Sequence, residues 1–596
     1  MFHWPSAVWN CRVLKGRCVI AIRSLVLAAC LPLAVCATTI PIQWETGFET
    51  NQGQFRSDVL FGARPDAYVT ATSLVLSPDQ VTIQFEGANP NPTSNPSGQL
   101  PYVVNVFTGA DPSKWITGIR QYGQVLFSGI YPGIDLLYLP RPFLTFRFVI
   151  RPGASPGAIR LSYSGATVIP FDIGPGLVIN HSGPRMGQNS SAWQDPPSGR
   201  VSVGLHYTQL GSNRFGFTLD SYNPALPVTI ESTLPLGAEG LRSPQFQARS
   251  GALYGFWAQR SLITQSPPAG TPGVVPDLCT LACSDVAITK FSASGIPIWL
   301  SYLRGTGEDV ASSLDVDTRG NAYVTGYTNS PDFPVTPSAA QRSYAGPPRT
   351  ETASYDGLRH GDVFLVKLDG ATGAVAYSTF LGGPGDDSAT AVHVDSDGNM
   401  YLGGPASGAL PVSGGALQRT PCVTVQRPCV IGYAVKIDSS GWLAYLTYLP
   451  AAPTAFTVDA QGGLYFGGWA GGGDAFLAKL NSTGSALAYL SYYPASTIPA
   501  AAGLPFVADV TSIAIDSHGN AWFSGPSGGA PGQPIRPYLA KFNADATKLL
   551  YSAPFIGGGL AVDADNGLSV LTPSFPSKIV RTPAEERCSA RLRFAL

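Results

Sequence analysis

The sequence predicts an all-β protein, with an N-terminal β-sandwich-like domain and a C-terminal β-propeller of six or seven four-stranded blades. Short segments that alternate apolar and polar residues fill the first half, and a hairpin motif recurs through the second half. No stretch shows a sustained apolar period of 3.6 residues. Glycine and proline, at 67 and 52 of 596 residues, supply many turns and disfavour long helices.

The composition excludes several classes of protein. Hydrophobic residues make up 44% of the chain, which is enough for a core and argues against disorder. Charged residues make up only 13%, about half of the ~25% that is usual in soluble proteins. The 37 basic and 38 acidic residues nearly cancel, whereas nucleic-acid binding needs a clustered positive surface. We therefore expect no nucleic-acid partner.

The N-terminus predicts export. Basic residues up to Arg23 precede an apolar segment, residues 24–35, which is too short to span a bilayer and fits a signal-peptide core. Small side chains at 35–37 predict cleavage before Thr38, and the mature chain has no segment of transmembrane length. A lipoprotein anchored through Cys30 is the alternative. The expected location is the periplasm, the outer surface or the extracellular space. The predicted bounds are 1–37 for the signal peptide, 38–230 for the N-terminal domain and 231–596 for the propeller.

Five cysteines remain after cleavage, and four of them form two close pairs. In an oxidising compartment such pairs predict small loop-closing disulfides, with Cys588 left over. Zinc binding is the alternative, but no histidine accompanies the pairs at zinc-ligand spacing. The predicted disulfides are Cys279–Cys283 and Cys422–Cys429.

From about residue 245 onward, two elements recur in step. The first is a hairpin such as 314–326 (LDVDTRGNAYVTG), in which an aspartate opens the turn and can accept backbone N–H bonds. The second is a strand such as 362–368 (DVFLVKL), which carries a lysine. Each repeat is long enough for about four strands, the size of one propeller blade. The repeated positions are Asp317, Asp395, Asp459, Asp516 and Asp563, with Lys290, Lys367, Lys436, Lys479 and Lys541.

Several segments resemble a known family. The hairpin motif and the segments 382–387 (GGPGDD) and 328–341 are similar to the SBBP-type β-propeller repeats of bacterial exported proteins. The N-terminal half resembles the domain of unknown function that commonly precedes those repeats. The segments that carry this second resemblance are 49–54, 109–115, 131–138 and 146–166. The resemblance implies a two-part exported protein with a poorly defined biochemical role.

Some residue patterns formally match functional motifs. Residues 525–529 fit the G-x-S-x-G nucleophile elbow, but they precede a Gly/Pro-rich loop where that motif needs a helix. Asp395, Asp397 and Asn399 alternate like calcium ligands, yet the terminal glutamate of an EF-hand is missing. The acidic pairs 308–309 and 386–387 recur at matching positions, which favours solvated or locally hydrogen-bonded turns over a single active site.

We therefore predict no catalytic residue, no metal site and no cofactor. The repeated lysines are expected to reach nearby carboxylates and tie neighbouring strands together, with an anion-binding or catalytic role as the alternative. In the first domain, the expected fold determinants are Trp115, Tyr131 and Asp135.

These expectations favour a non-enzymatic scaffold at the cell surface or in the periplasm, whose propeller face binds a protein or a glycan. The alternative is a secreted carbohydrate-active enzyme, a hydrolase or a lyase, since propellers also support catalysis. Clustered acidic and histidine side chains at the central mouth would favour the enzyme. An aromatic patch there would favour binding.

Overall fold

The structure is a computed structural model, and it describes most of the chain after residue 46. The two cysteine pairs, Cys588, Asp563 and the expected signal peptide lie outside the described residues, and all described residues belong to one compact unit, Thr39–Leu596. The described residues are 47–63, 67–76, 81–140, 144–171, 174–180, 186–234, 245–249, 252–260, 284–347, 361–420, 431–469, 475–493, 507–508, 510–528, 536–554, 560–562, 566, 568–572 and 578–581.

The N-terminal part is built from seventeen described strands and two short 3-10 turns, Pro112–Lys114 and Pro156–Ala158. Alternation of buried and exposed side chains along strands such as Val81–Phe85 reflects one buried face. The strands are β1 (Phe48–Thr50), β2 (Val59–Ala63), β3 (Ala67–Thr70), β4 (Ser73–Leu76), β5 (Val81–Phe85), β6 (Thr93–Thr108), β7 (Ile116–Tyr131), β8 (Ile134–Leu139), β9 (Leu144–Ile150), β10 (Arg160–Ser164), β11 (Thr167–Pro170), β12 (Gly176–Asn180), β13 (Met186–Gln194), β14 (Val201–Val203), β15 (Leu205–Gly211), β16 (Arg214–Leu219) and β17 (Val228–Leu234).

Two layers of these strands enclose one apolar core. Strands β5, β10 and β16 pair in one layer, and β8, β9 and β17 pair in the other. Aromatic side chains meet between the layers: the ring centroids of Phe85 and Phe148 are 5.7 Å apart, and those of Phe148 and Phe217 are 6.4 Å apart. All three side chains are buried. The predicted sandwich-like arrangement is confirmed.

The C-terminal part consists of six successive antiparallel sheets within the described residues. Sheets 1 to 4 have four strands of their own, sheet 5 has five, and sheet 6 has three described strands. The β-propeller class is confirmed, and the expected number of blades, six or seven, stays a prediction. Sheet 1 comprises β18 (Gln245–Arg249), β19 (Ala252–Arg260), β20 (Ser284–Phe291) and β21 (Pro297–Arg304); sheet 2, β22 (Asp309–Val316), β23 (Ala322–Thr328), β24 (Asp362–Leu368) and β25 (Val375–Leu381); sheet 3, β26 (Ala391–Val394), β27 (Met400–Ala406), β28 (Ile431–Ile437) and β29 (Leu443–Leu449); sheet 4, β30 (Ala455–Val458), β31 (Leu464–Trp469), β32 (Ala475–Leu480) and β33 (Leu487–Tyr493); sheet 5, β34 (Val507–Ala508), β35 (Ser512–Ile515), β36 (Ala521–Gly528), β37 (Arg536–Phe542) and β38 (Leu549–Pro554); and sheet 6, β39 (Leu560–Val562), β40 (Leu568–Thr572) and β41 (Lys578–Arg581).

The inner strands of successive propeller sheets contact one another. Strand β22 lies against β26, β26 against β30, β30 against β35, and β35 against β39. Apolar side chains fill the space between neighbouring sheets, as where Val363 and Leu365 of sheet 2 share a cluster with Leu402 and Val435 of sheet 3. Each sheet therefore buries its faces against the next, as expected for stacked repeats.

The N-terminal part and the propeller share a sheet. The end of β6 pairs in parallel with β21 of sheet 1, with Trp299 opposite Val103 and Arg304 opposite Thr108. Asn105 of β6 also donates hydrogen bonds to Ser301 Oγ (3.0 Å) and to the carbonyl of Thr372 in sheet 2 (2.9 Å). The predicted domain boundary at 230/231 stays a prediction, and hydrogen-bonded strand pairing crosses it.

Candidate functional site

The repeated aspartates close the turns of the inner hairpins. In each described copy, one carboxylate oxygen accepts backbone N–H bonds from the residues two and four positions later. For Asp317 these N–H groups belong to Arg319 and Asn321, both at 2.9 Å. Burial alone would raise the pKa of Asp317, but hydrogen bonds from the Asn321 side chain, from these backbone N–H groups and from the Tyr323 hydroxyl hold it below its usual value. The aspartates in this arrangement are Asp317, Asp395, Asp459 and Asp516.

Each repeated lysine lies over an aromatic ring. The Nζ atom is 4.7–5.4 Å from the centroid of the ring directly opposite on the neighbouring strand. A second aromatic residue stands opposite the same lysine on the following strand. Sequence reasoning missed these rings, although in four of the triplets the first ring stands six positions after the turn aspartate. The triplets are Tyr254–Lys290–Trp299, Tyr323–Lys367–Tyr377, Tyr401–Lys436–Tyr445, Tyr465–Lys479–Tyr489 and Trp522–Lys541–Tyr551.

Among the described residues, a carboxylate partner lies within ion-pair distance of two of the five lysines. Lys479 Nζ lies 2.7 Å from Asp459 Oδ2, and Lys541 Nζ lies 3.2 Å from Asp516 Oδ2. Lys290 instead donates to the carbonyl of Gly370, in the next sheet, at 2.6 Å. The lysines thus contribute cation–π contacts, ion pairs and one hydrogen bond between sheets.

A line of hydroxyl groups links the inner strands. Ser312 Oγ donates to the carbonyl of Ala389, just before β26 of sheet 3, and Thr390 Oγ1 donates to that of Pro453, just before β30 of sheet 4 (3.0 Å). Thr454 Oγ1 makes the equivalent bond to Val510. Each hydroxyl also reaches a carbonyl of its own hairpin at 3.1–3.3 Å. These residues stand five positions before the turn aspartate, a regularity that the sequence already contained.

One histidine–carboxylate pair lies on the inner strands. His393 Nδ1 of β26 is 3.0 Å from Asp315 Oδ2 of β22, and the histidine side chain is 26% exposed. The same carboxylate oxygen accepts the N–H of Val394 at 2.8 Å. The equivalent positions in sheets 4 and 5 carry Thr457 and Ala514. The pair therefore breaks the repeat.

The sequence left two alternatives for the acidic pairs, a solvated turn or a locally hydrogen-bonded turn, and for the second aspartate of each pair the structure shows the locally hydrogen-bonded one. Asp309 and Asp387 are 0% and 1% exposed, so they are not solvated. Asp309 receives hydrogen bonds from the N–H of Gly305 (2.7 Å) and from the Thr328 hydroxyl (2.5 Å). Burial raises the pKa of Asp309 well above its usual range, and Asp285 adds to the effect. The sequence did not predict this burial because both aspartates follow short glycine-rich segments, which are typical of exposed turns.

The other residues that the sequence singled out make hydrogen bonds that stabilise the fold or lie within a strand. Residues 525–528 lie within β36, so the strand–turn–helix of a nucleophile elbow is absent from this described segment. Trp115 Nε1 donates to the Gly109 carbonyl (3.0 Å), and Tyr131 donates to the Glu86 carbonyl (3.2 Å). Asp135 accepts the N–H of Gly129 at 2.8 Å.

The described residues contain no group of three or more His, Cys, Asp or Glu side chains that could hold a metal ion. No helix in the described part of the chain has the length and apolar character needed to cross a membrane.

Comparison with family models supports the two-part organisation. A model described as a domain of unknown function, DUF7948, matches residues 69–231, and one described as a beta-propeller repeat, SBBP, matches residues 298–334. In this chain a DUF7948 domain precedes an SBBP beta-propeller repeat. The order of the two parts agrees with the strand architecture. The comparison with curated proteins gave no match.

Solved structures similar to this DUF7948–SBBP chain include several at low sequence identity. BamB from Moraxella catarrhalis is 13% identical, with 56% of this chain and 96% of that chain covered and a TM-score of 0.21. The Dos1 propeller is 10% identical, with 68% and 90% covered and a TM-score of 0.26. A glucose dehydrogenase is 9% identical, with 51% and 93% covered and a TM-score of 0.26.

Proposed function

We propose that this DUF7948–SBBP protein is an exported, non-enzymatic scaffold or binding protein at the cell surface or in the periplasm, whose propeller binds a protein or a glycan. The repeated polar residues support this proposal because their contacts are with the backbone and side chains of the propeller sheets, as expected of structural residues. Turn aspartates bond to backbone N–H groups, lysines lie over aromatic rings, and inner hydroxyls connect sheets.

One exposed aromatic residue carries the proposal. Trp442, in the outer turn of sheet 3, is 76% exposed, whereas the closing residues of two neighbouring turns are Ala374 and Ala486. A large aromatic residue that departs from the repeat is poorly explained by the framework. Tryptophan offers a broad apolar surface with one N–H donor, and it is common at protein and sugar contacts.

The test is a binding screen of the purified mature chain. A glycan array and affinity capture from the protein's own cell envelope would identify ligands, and titration would then compare two variants. Trp442→Ala is expected to weaken binding at least tenfold. Leu550→Ala removes another exposed side chain, 45% exposed and in sheet 5, and is expected to leave binding unchanged. Equal binding by both variants and the parent chain would refute this role for Trp442.

Export is part of the proposal and rests on the N-terminal sequence. We expect mass spectrometry of the exported protein to find an N-terminus at Thr38, with both close cysteine pairs oxidised in non-reducing peptide maps. A lipidated Cys30 would establish the lipoprotein alternative. Folded cytosolic protein that retains Met1 would contradict export.

A secreted carbohydrate-active enzyme is the second candidate, and the Asp315–His393 pair is the observation that favours it. A carboxylate that holds an imidazole in place can support general-base chemistry. Incubation of the chain with a panel of polysaccharides tests this function. Product release that is lost in His393→Ala would support the enzyme and overturn the non-enzymatic proposal.

A further inference from the structure

Two neighbouring junctions of the propeller hold equivalent pairs of buried aspartates. Asp285 and Asp309 lie between sheets 1 and 2, and Asp362 and Asp387 lie between sheets 2 and 3; all four are at most 1% exposed. At the first junction a buried arginine accompanies the pair, with Arg304 3.1 Å from Asp285. The second junction has the same carboxylates in a different environment.

The residue equivalent to the arginine is a glycine at the second junction. Leu303 pairs with Val286 and is followed by Arg304, whereas Leu381 pairs with Val363 and is followed by Gly382. A Cβ atom placed on Gly382 would lie 2.4 Å from Asp362 Oδ1 and 3.0 Å from Asp387 Oδ2. Both carboxyl groups therefore face the position at which the arginine side chain begins in the preceding repeat.

The second pair has no positive partner among the described residues. Asp362 Oδ2 accepts the N–H of Ala345 (2.7 Å), and Asp387 Oδ2 accepts the N–H of Gly383 (2.8 Å). The Oδ1 atom of each aspartate is buried and accepts no hydrogen bond. The other titratable groups that act on the pair electrostatically are acidic, namely Asp386, Tyr344 and Tyr433.

Ionisation of both carboxyl groups is unfavourable at this junction unless a cation binds beside them. Burial raises the pKa of Asp362 to about 6 and that of Asp387 to about 7, and the Asp362 carboxylate adds to the rise at Asp387. A buried charge is strongly destabilising when it is unpaired. The preceding repeat meets this requirement with a guanidinium group from its own chain.

We propose that Asp362 and Asp387 bind a calcium-type divalent cation between sheets 2 and 3, in the role that Arg304 has at the preceding junction. Two ionised carboxylates balance the charge of one divalent cation. Their oxygens are hard ligands, and Ca²⁺ tolerates irregular coordination that Mg²⁺ does not. The cation joins β24 to the loop before β26, so it fastens two propeller sheets.

The experiment uses the full mature chain, treated with chelator and held at pH 8. Thermal unfolding is recorded with increasing CaCl₂, and calcium binding is measured by equilibrium dialysis. We expect one Ca²⁺ per chain and a midpoint that rises with the logarithm of calcium concentration above the dissociation constant. Asp362→Asn and Asp387→Asn are each expected to weaken calcium binding at least tenfold.

Asp397→Asn is the matched control, because it removes one exposed carboxylate and changes the net charge equally. It also tests the alternating turn residues Asp395, Asp397 and Asn399. The proposal predicts that this variant binds calcium like the parent chain. It is overturned if the parent chain binds no calcium, if both Asn variants keep their binding, or if Asp397→Asn loses it. An unfolding midpoint that does not change with calcium concentration would also overturn it.

Discussion

Replacing Asp387 by asparagine should stabilise the chelator-treated protein at neutral and alkaline pH. The amide keeps an oxygen that can accept the N–H of Gly383, and its size matches that of the carboxyl group. It removes the charge that burial beside Asp362 disfavours. The expected gain in stability therefore reports the electrostatic cost of ionising this site.

The magnitude follows from the difference between the folded and unfolded pKa of Asp387. The ordinary value is 3.8 and the folded value is about 7. Each unit corresponds to about 1.4 kcal/mol, so the difference amounts to about 4 kcal/mol as an upper limit. Because the folded state binds the proton more tightly, parent stability falls as pH rises from about 4 to about 7 and then levels off. The variant lacks this contribution.

Denaturant unfolding at half-unit intervals from pH 4 to pH 8.5, with chelator present, measures the effect. We expect the two proteins to be similar near pH 4 and to diverge progressively up to about pH 7, with the variant more stable. Asp397→Asn serves as the control, since its carboxylate is exposed and its pH profile should parallel that of the parent chain. Parallel profiles for Asp387→Asn and the parent chain would refute the reasoning.

Substitutions at four further positions test the repeated contacts of the propeller by denaturant unfolding. Lys541→Met breaks a buried ion pair with Asp516 and should lower the free energy of unfolding by about 3 kcal/mol. Lys367→Met, with no described carboxylate pair, should lower it by under ~1 kcal/mol, and equal losses in the two variants would contradict this difference. Thr390→Val keeps the side-chain shape but removes a hydroxyl that bonds to two carbonyls, so a loss of about 1 kcal/mol is expected, and Thr390→Ser should retain part of it. Asp395→Ala should cost about 1–3 kcal/mol because two N–H groups lose their acceptor, and an unchanged midpoint would show that water replaces it.

The repeat pattern predicted the propeller because each hairpin contains its own local signals. An aspartate that opens a turn and a later glycine, such as Asp395 and Gly398 at φ 83°, depend only on neighbouring residues. The rings beside the lysines depend on register between strands, which the sequence shows only when all repeats are aligned. The burial of Asp387 depends on packing between two sheets. No local property of the GGPGDD segment distinguishes it from an exposed turn.

The parallel pairing of β6 with β21 joins residues about two hundred positions apart, and it lacks a local signal altogether. This pairing limits where the chain can be cut into separate fragments. β21 is the last strand of sheet 1, so without β6 its outer edge would present unpaired N–H and carbonyl groups. Such an edge recruits strands from other molecules and promotes aggregation. We therefore expect a fragment that starts at residue 231 to aggregate at this edge, which β6 covers in the full chain.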